Sequence, residues 1–101
     1  MEERIVDIIE RVAYFRNKKG ISARKLSERI GKSYPYVHCL EQKQFEPSLN
    51  VILDIIDELE VSQEEFFAND YKSYKENKAL LDFFGTLSAT QKDAIMNLYK
   101  K

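Results

Sequence analysis

The spacing of apolar residues around Gly31 constrains this chain of 101 residues more than anything else in it. Leu26 and Ile30 stand four apart, and Val37 and Leu40 three apart. Each pair shares one helix face, because side chains return to the same side of an α-helix after three or four residues. Gly31 lies between the pairs. A glycine just past a helix adopts positive φ at little cost and lets the chain turn sharply. Ser33 is placed to cap the second helix. Pro35 falls in its first turn, where a missing N–H costs little. Ser27 is small enough for the two helices to cross closely. Residues 20–49, GISARKLSERIGKSYPYVHCLEQKQFEPSL, therefore read as two short helices, roughly 22–30 and 34–42, joined by a tight turn. Spacing alone leaves a plain αα-hairpin open beside a ligand-binding helix pair.

Charge separates those two. The chain carries 16 Lys and Arg against 17 Asp and Glu, a formal net charge of −1. That near-zero total hides an asymmetry. Residues 11–40 hold Arg11, Arg16, Lys18, Lys19, Arg24, Lys25, Arg29 and Lys32 against one acid, Glu28, a net of +7. Residues 51–101 hold six Lys against ten acids, a net of −4. A charged run is most simply a solvated helix face. This one coincides with the turn, and a basic patch there attracts phosphates and makes binding salt-dependent.

The rest of the chain reads as helices. A first helix over about 3–19 carries Ile5, Ile8, Ile9, Val12 and Phe15 on one stripe, and Gly20 ends it. KQFEPS is a loop. A fourth helix follows Pro47 and Ser48, with Leu49, Ile52, Leu53, Ile56 and Leu59 facing inward. Ser62-Gln-Glu-Glu65 is a capping box that opens a short fifth helix through Phe67. Residues 68–74 form a connector. A sixth helix spans about 73–84, with Leu80, Leu81, Phe83 and Phe84, and Gly85 breaks it. Ser88-Ala-Thr-Gln91 is a second capping box, opening a seventh helix with Ile95, Leu98 and Tyr99. Three Gly and two Pro leave little room for strands or long loops. No window approaches 18 uninterrupted apolar residues, so no membrane span is expected. The acidic, amphipathic MEERIVDIIERV is unlike a signal peptide. One Cys excludes an internal disulfide and fits a reducing cytoplasm.

These residues resemble the Cro/CI type of helix-turn-helix, the Xre family, over roughly residues 9–67. The matching positions are Arg16, Gly20, Ile21, Ser22, Leu26, Ile30, Gly31, Ser33, Val37, Leu40, Glu41, Pro47, Ser48 and Leu49, closed by ILDIIDELEVSQEEFF. The resemblance implies an all-α fold: a five-helix, lambda-repressor-like DNA-binding domain over residues 1–69, with a two-helix extension over 70–101. The extension lies outside the match and is too short to fold alone. Its Leu80, Leu81, Phe83, Phe84, Ile95, Leu98 and Tyr99 suit either a dimerisation hairpin or a cap on the same chain.

The same resemblance implies roles for particular residues. Ser22, Ala23 and Arg24 begin the second helix, whose N–H groups and dipole can face a phosphate. Relatives commonly have Gln where Ala23 stands, and Arg24 is a candidate replacement. Ser33, Tyr34, Pro35 and Cys39 match positions that face base edges in the major groove. Tyr36 matches one that touches the backbone, with Lys32 beside it in the basic run. Gln42, Lys43 and Gln44 match a phosphate-gripping loop. Lys43 departs from the Gly usual after this helix, which suggests an altered helix end. Ser33, Tyr34 and Cys39 cannot make the bidentate base contacts of Gln, Asn or Arg, so modest base readout aided by DNA shape is expected. Arg16 and Glu41 match an interhelical salt bridge of structural role.

The expected function is sequence-specific regulation of transcription, as a repressor acting as a dimer on a palindromic operator. The expected partners are double-stranded DNA and a second copy, with no membrane and no evident small-molecule effector. The alternative is a protein-interaction module on the same fold, antitoxin-like or anti-repressor-like, favoured by Tyr34-Pro35-Tyr36 because tyrosine is enriched at interfaces. No nucleophile elbow, phosphate loop or paired-ligand motif marks an enzyme. One His and one Cys do not make a closed metal site, and no cofactor is expected. Cys39 reads as an inert thiol before a redox switch, since reactivity needs a lowered pKa and access.

Overall fold

In the computed structural model the described residues are 1–99, without the side chains of Ile95, Met96, Leu98 and Tyr99. They contain no strand, and they divide into two units, residues 1–68 and the chain from Asn69 onward.

The first unit holds α1 (Glu3–Lys18), α2 (Ala23–Arg29), α3 (Tyr36–Glu41), α4 (Leu49–Glu58) and α5 (Gln63–Phe67). Their core is Ile9, Val12 and Phe15 of α1, Leu26 of α2, Val37 and Leu40 of α3, Val51, Ile52, Ile55 and Ile56 of α4, then Leu59 and Phe66. Phe15 and Phe66 meet with ring centroids 5.6 Å apart, tying α1 to α5. The α4 face is rotated from the expected one. Val51 and Ile55 are buried, Leu53 is half-buried, and Leu49 is 69% exposed instead of facing inward. Leu49 is the first helical residue after the Ser48 cap, and the buried residues of the helix begin two positions later at Val51.

Serine hydroxyls start three of these helices. Ser22 accepts from the Lys25 N–H (3.0 Å), Ser48 from Val51 (3.2 Å) and Ser62 from Glu65 (3.0 Å). Four helices end in one way. Gly20, Gly31, Lys43 and Glu60 all have positive φ, from +55° to +74°. After each, the next N–H reaches back five residues: Ile21 to Arg16, Lys32 to Ser27, Gln44 to Cys39 and Val61 to Ile56. That is the Schellman closure, which satisfies carbonyls the helix leaves over. Lys43 therefore does not alter the end of α3. It takes the left-handed conformation that a glycine would take.

The second unit has a 3-10 turn at Tyr71–Ser73, within the stretch expected to be a plain connector, then α6 (Tyr74–Gly85) and α7 (Ala89–Tyr99). Gly85 does not interrupt α6 but is its last residue, with Thr86 as the cap. Ser88 and Gln91 form a reciprocal box: Gln91 N–H donates to the Ser88 hydroxyl (3.2 Å), and Ser88 N–H to the Gln91 side chain (2.9 Å). No α6 residue is buried, and Leu80, Leu81 and Phe83 are largely exposed. Phe84 is half-buried, with the Lys92 ammonium 5.3 Å from its ring. The side chains of Ile95, Leu98 and Tyr99 lie outside the described residues. Among the described residues no helix is long and apolar enough to cross a membrane.

Candidate nucleic-acid interface

The α2–α3 pair is fixed by one buried hydroxyl. Ser27 Oγ donates to the Ala23 carbonyl (2.8 Å) and accepts the Val37 N–H (3.0 Å). The serine is fully buried, so this bond satisfies an α3 N–H that water cannot reach. Leu26, Val37 and Leu40 are fully buried as well. Ser27 had a steric reason in the sequence; its hydrogen bonds become visible only once α3 is placed beside α2.

Ser33 is not the N-cap of α3. The helix begins at Tyr36, Pro35 holds the cap position, and the Ser33 carbonyl accepts the Tyr36 N–H (3.0 Å). Residues 32–35 thus form a short exposed lead-in that carries Lys32, Ser33, Tyr34 and Pro35. Tyr34 is 63% exposed. The Arg24 guanidinium, from the start of α2, lies over its ring at 5.1 Å from the centroid. Tyr36 is half-buried against Phe45 (centroids 5.0 Å apart), with Lys32 Nζ 5.4 Å over its ring. Burial pushes the Tyr36 phenol above its usual pKa.

Of the remaining candidates, Ser22 is exposed with its hydroxyl engaged as a cap, and Cys39 is half-buried. Gln42, Lys43 and Gln44 are exposed past the end of α3, with Lys43 Nζ 3.8 Å from Glu10. His38 is exposed as well, on α3 four residues before Gln42. Its i, i+4 spacing with Gln42 at the end of α3 was the signal for it.

The basic run is smaller at the surface than in the sequence. Arg11 is buried: Nε donates to Asp7 (2.8 Å), and Nη1 to the Phe66 (2.7 Å) and Ala68 (2.6 Å) carbonyls at the end of α5. Arg16 is held by Glu41 through two parallel bonds, Nε to Oε2 (2.8 Å) and Nη2 to Oε1 (2.9 Å), and its Nη1 donates to the Ile21 carbonyl (2.9 Å). That leaves Lys18, Lys19, Arg24, Lys25, Arg29 and Lys32 exposed against Glu28, a net of +5. Glu28 is 3.7 Å from Arg24 and 3.8 Å from Lys25, in exposed pairs of small energetic weight.

A family model described as helix-turn-helix matches residues 12–66, more than half of the chain. Its span runs from Val12 in α1 to Phe66 in α5 and includes the Ser27 junction and the exposed lead-in to α3. No curated protein and no solved structure is a significant match. On its matched residues and its all-helical fold, the chain belongs to the helix-turn-helix family of DNA-binding regulators, the Xre family.

Proposed function

We propose that this regulator is a repressor that reads a palindromic operator as a dimer in the cytoplasm, with α3 in the major groove. One observation carries the reading. Ser33, Tyr34 and Pro35 are exposed at the head of a helix whose opposite side, Val37 and Leu40, is locked into the core. A rigid helix with an exposed N-terminal end is what base-edge readout needs. Tyr34 presses its ring on a thymine methyl and offers one hydroxyl; Pro35 and Cys39 add apolar contact. Lys32, Gln42, Lys43 and Gln44 engage phosphates on either side, with Ser22 and Tyr36 close to the backbone. The second unit supplies the dimer contact through Leu80, Leu81, Phe83 and Phe84.

Selection from random duplex DNA, with Tyr34→Ala in parallel, tests this. A palindromic motif with half-sites about 34 Å apart is expected, and the mutant is expected to lose it. Enrichment of single, unpaired sites would overturn the dimeric operator.

A second reading has one observation in its favour: an exposed tyrosine at a helix head also suits a protein partner. Heparin retention separates the two, since phosphate contacts weaken steeply between about 50 and 300 mM salt and an apolar partner surface does not.

A further inference from the structure

We infer that Arg24, stacked on Tyr34, reads a guanine edge in the major groove instead of gripping a phosphate. The inference rests on the DNA-reading role proposed for the head of α3. Arg24 belongs to α2, yet its guanidinium lies 5.1 Å from the ring centroid of Tyr34, in the α3 lead-in. Both side chains are exposed, Arg24 at 72% and Tyr34 at 63%. The carboxylate of Glu28 approaches the Nε side of Arg24 at 3.7 Å. The ring gives the guanidinium a favoured resting place, which lowers the rotamer freedom lost on binding. Nη1 and Nη2 of the exposed guanidinium form a planar fork of donors.

A planar fork matches the O6 and N7 acceptors of guanine. A guanidinium stacked on Tyr34 is carried to the same depth in the groove as the tyrosine, where base edges are and the phosphate rail is not. Lys32 makes the contrast. It also lies over a tyrosine, but Tyr36 is half-buried against Phe45, and an ammonium is a point charge suited to a phosphate. The assignment gives the protein one strong bidentate contact that the side chains of α3 itself lack.

The test is selection from random duplex DNA with the wild-type chain, Arg24→Gln and Tyr34→Phe, followed by titration of the selected sites at several salt concentrations. Gln pairs with adenine as Arg does with guanine. Arg24→Gln is therefore expected to convert one guanine per half-site to adenine, with discrimination of roughly 5- to 150-fold at that position. Tyr34→Phe keeps the ring and is expected to keep the guanine. If Arg24→Gln leaves every motif position unchanged, binds all sequences equally more weakly and lowers the salt slope by about one, Arg24 is a phosphate contact and the inference is wrong. A wild-type chain that enriches no motif overturns the DNA-reading role itself.

Discussion

Arg16 on α1 and Glu41 on α3 face each other in a two-bond fork, at 2.8 and 2.9 Å, with side chains only 15% and 10% exposed. The third donor of Arg16 goes to the Ile21 carbonyl, in the turn that leads to α2. One guanidinium therefore joins α1, the α1–α2 turn and α3. Its charge serves the orientation of α3 and not the DNA surface.

Removing one partner leaves the other buried and uncompensated. Arg16→Ala or Glu41→Ala is expected to lower stability by about 3 kcal/mol, read as a shift in the urea midpoint. The double variant should cost less than the two singles combined, because it leaves no stranded charge. Additive losses would mean that the pair contributes through packing alone.

Ser27→Ala removes a single oxygen and strands the Val37 N–H in the core. The expected loss is about 1–3 kcal/mol in urea unfolding. Ser27→Cys is nearly isosteric and accepts weakly, so it should fall between Ala and Ser. A neutral Ser27→Ala would mean that α3 finds another acceptor by shifting its first turn.

Lys43 and Glu60 hold φ of +61° and +55°, where an L side chain is strained and glycine is not. Glu60→Gly is expected to raise stability by about 1 kcal/mol in thermal or urea unfolding. Lys43→Gly should stabilise by a similar amount, less the few tenths lost with the exposed Glu10 contact. The same change should weaken DNA binding and lower its salt slope by about one, since the lysine is assigned a phosphate. Stability and affinity then move in opposite directions, which identifies a functional lysine kept at a strained position.

How much of this was legible follows the range of the interactions. Helix starts at Ser22, Ser48, Ser62 and Ser88 and ends at Gly20 and Gly31 depend on residues within five positions, and the sequence carries them. The end of α3 at Lys43 runs against local preference, so it read as altered when the Schellman bonds in fact persist. Arg11 was counted with the surface charge because two of its partners, the Phe66 and Ala68 carbonyls, lie more than 50 residues away. Leu49 and Ser33 misled for a related reason. Each fits its local pattern, but the start of a helix is set by where the chain enters the core, which the neighbouring elements decide. The head of α3 was legible as an exposed site through its family pattern, while the stacking of Arg24 on Tyr34 required α2 and α3 side by side.

The proposed dimer makes the last prediction. Leu80, Leu81 and Phe83 are 65%, 69% and 59% exposed on a helix with no buried residue, a concentration of apolar surface that a second copy would cover. Leu81→Lys combined with Phe83→Lys is expected to convert a dimer to a monomer in sedimentation. The helical circular dichroism of the chain should be unchanged, because both positions are exposed on α6. Binding to a single half-site should also be unchanged, since α3 is untouched. Binding to the full palindrome should fall by about 10²–10⁴, the gain that tethering two binding units provides. A wild-type chain that sediments as a monomer at concentrations where it fills both half-sites would assign pairing to the DNA, and the apolar face of α6 would then need a different occupant.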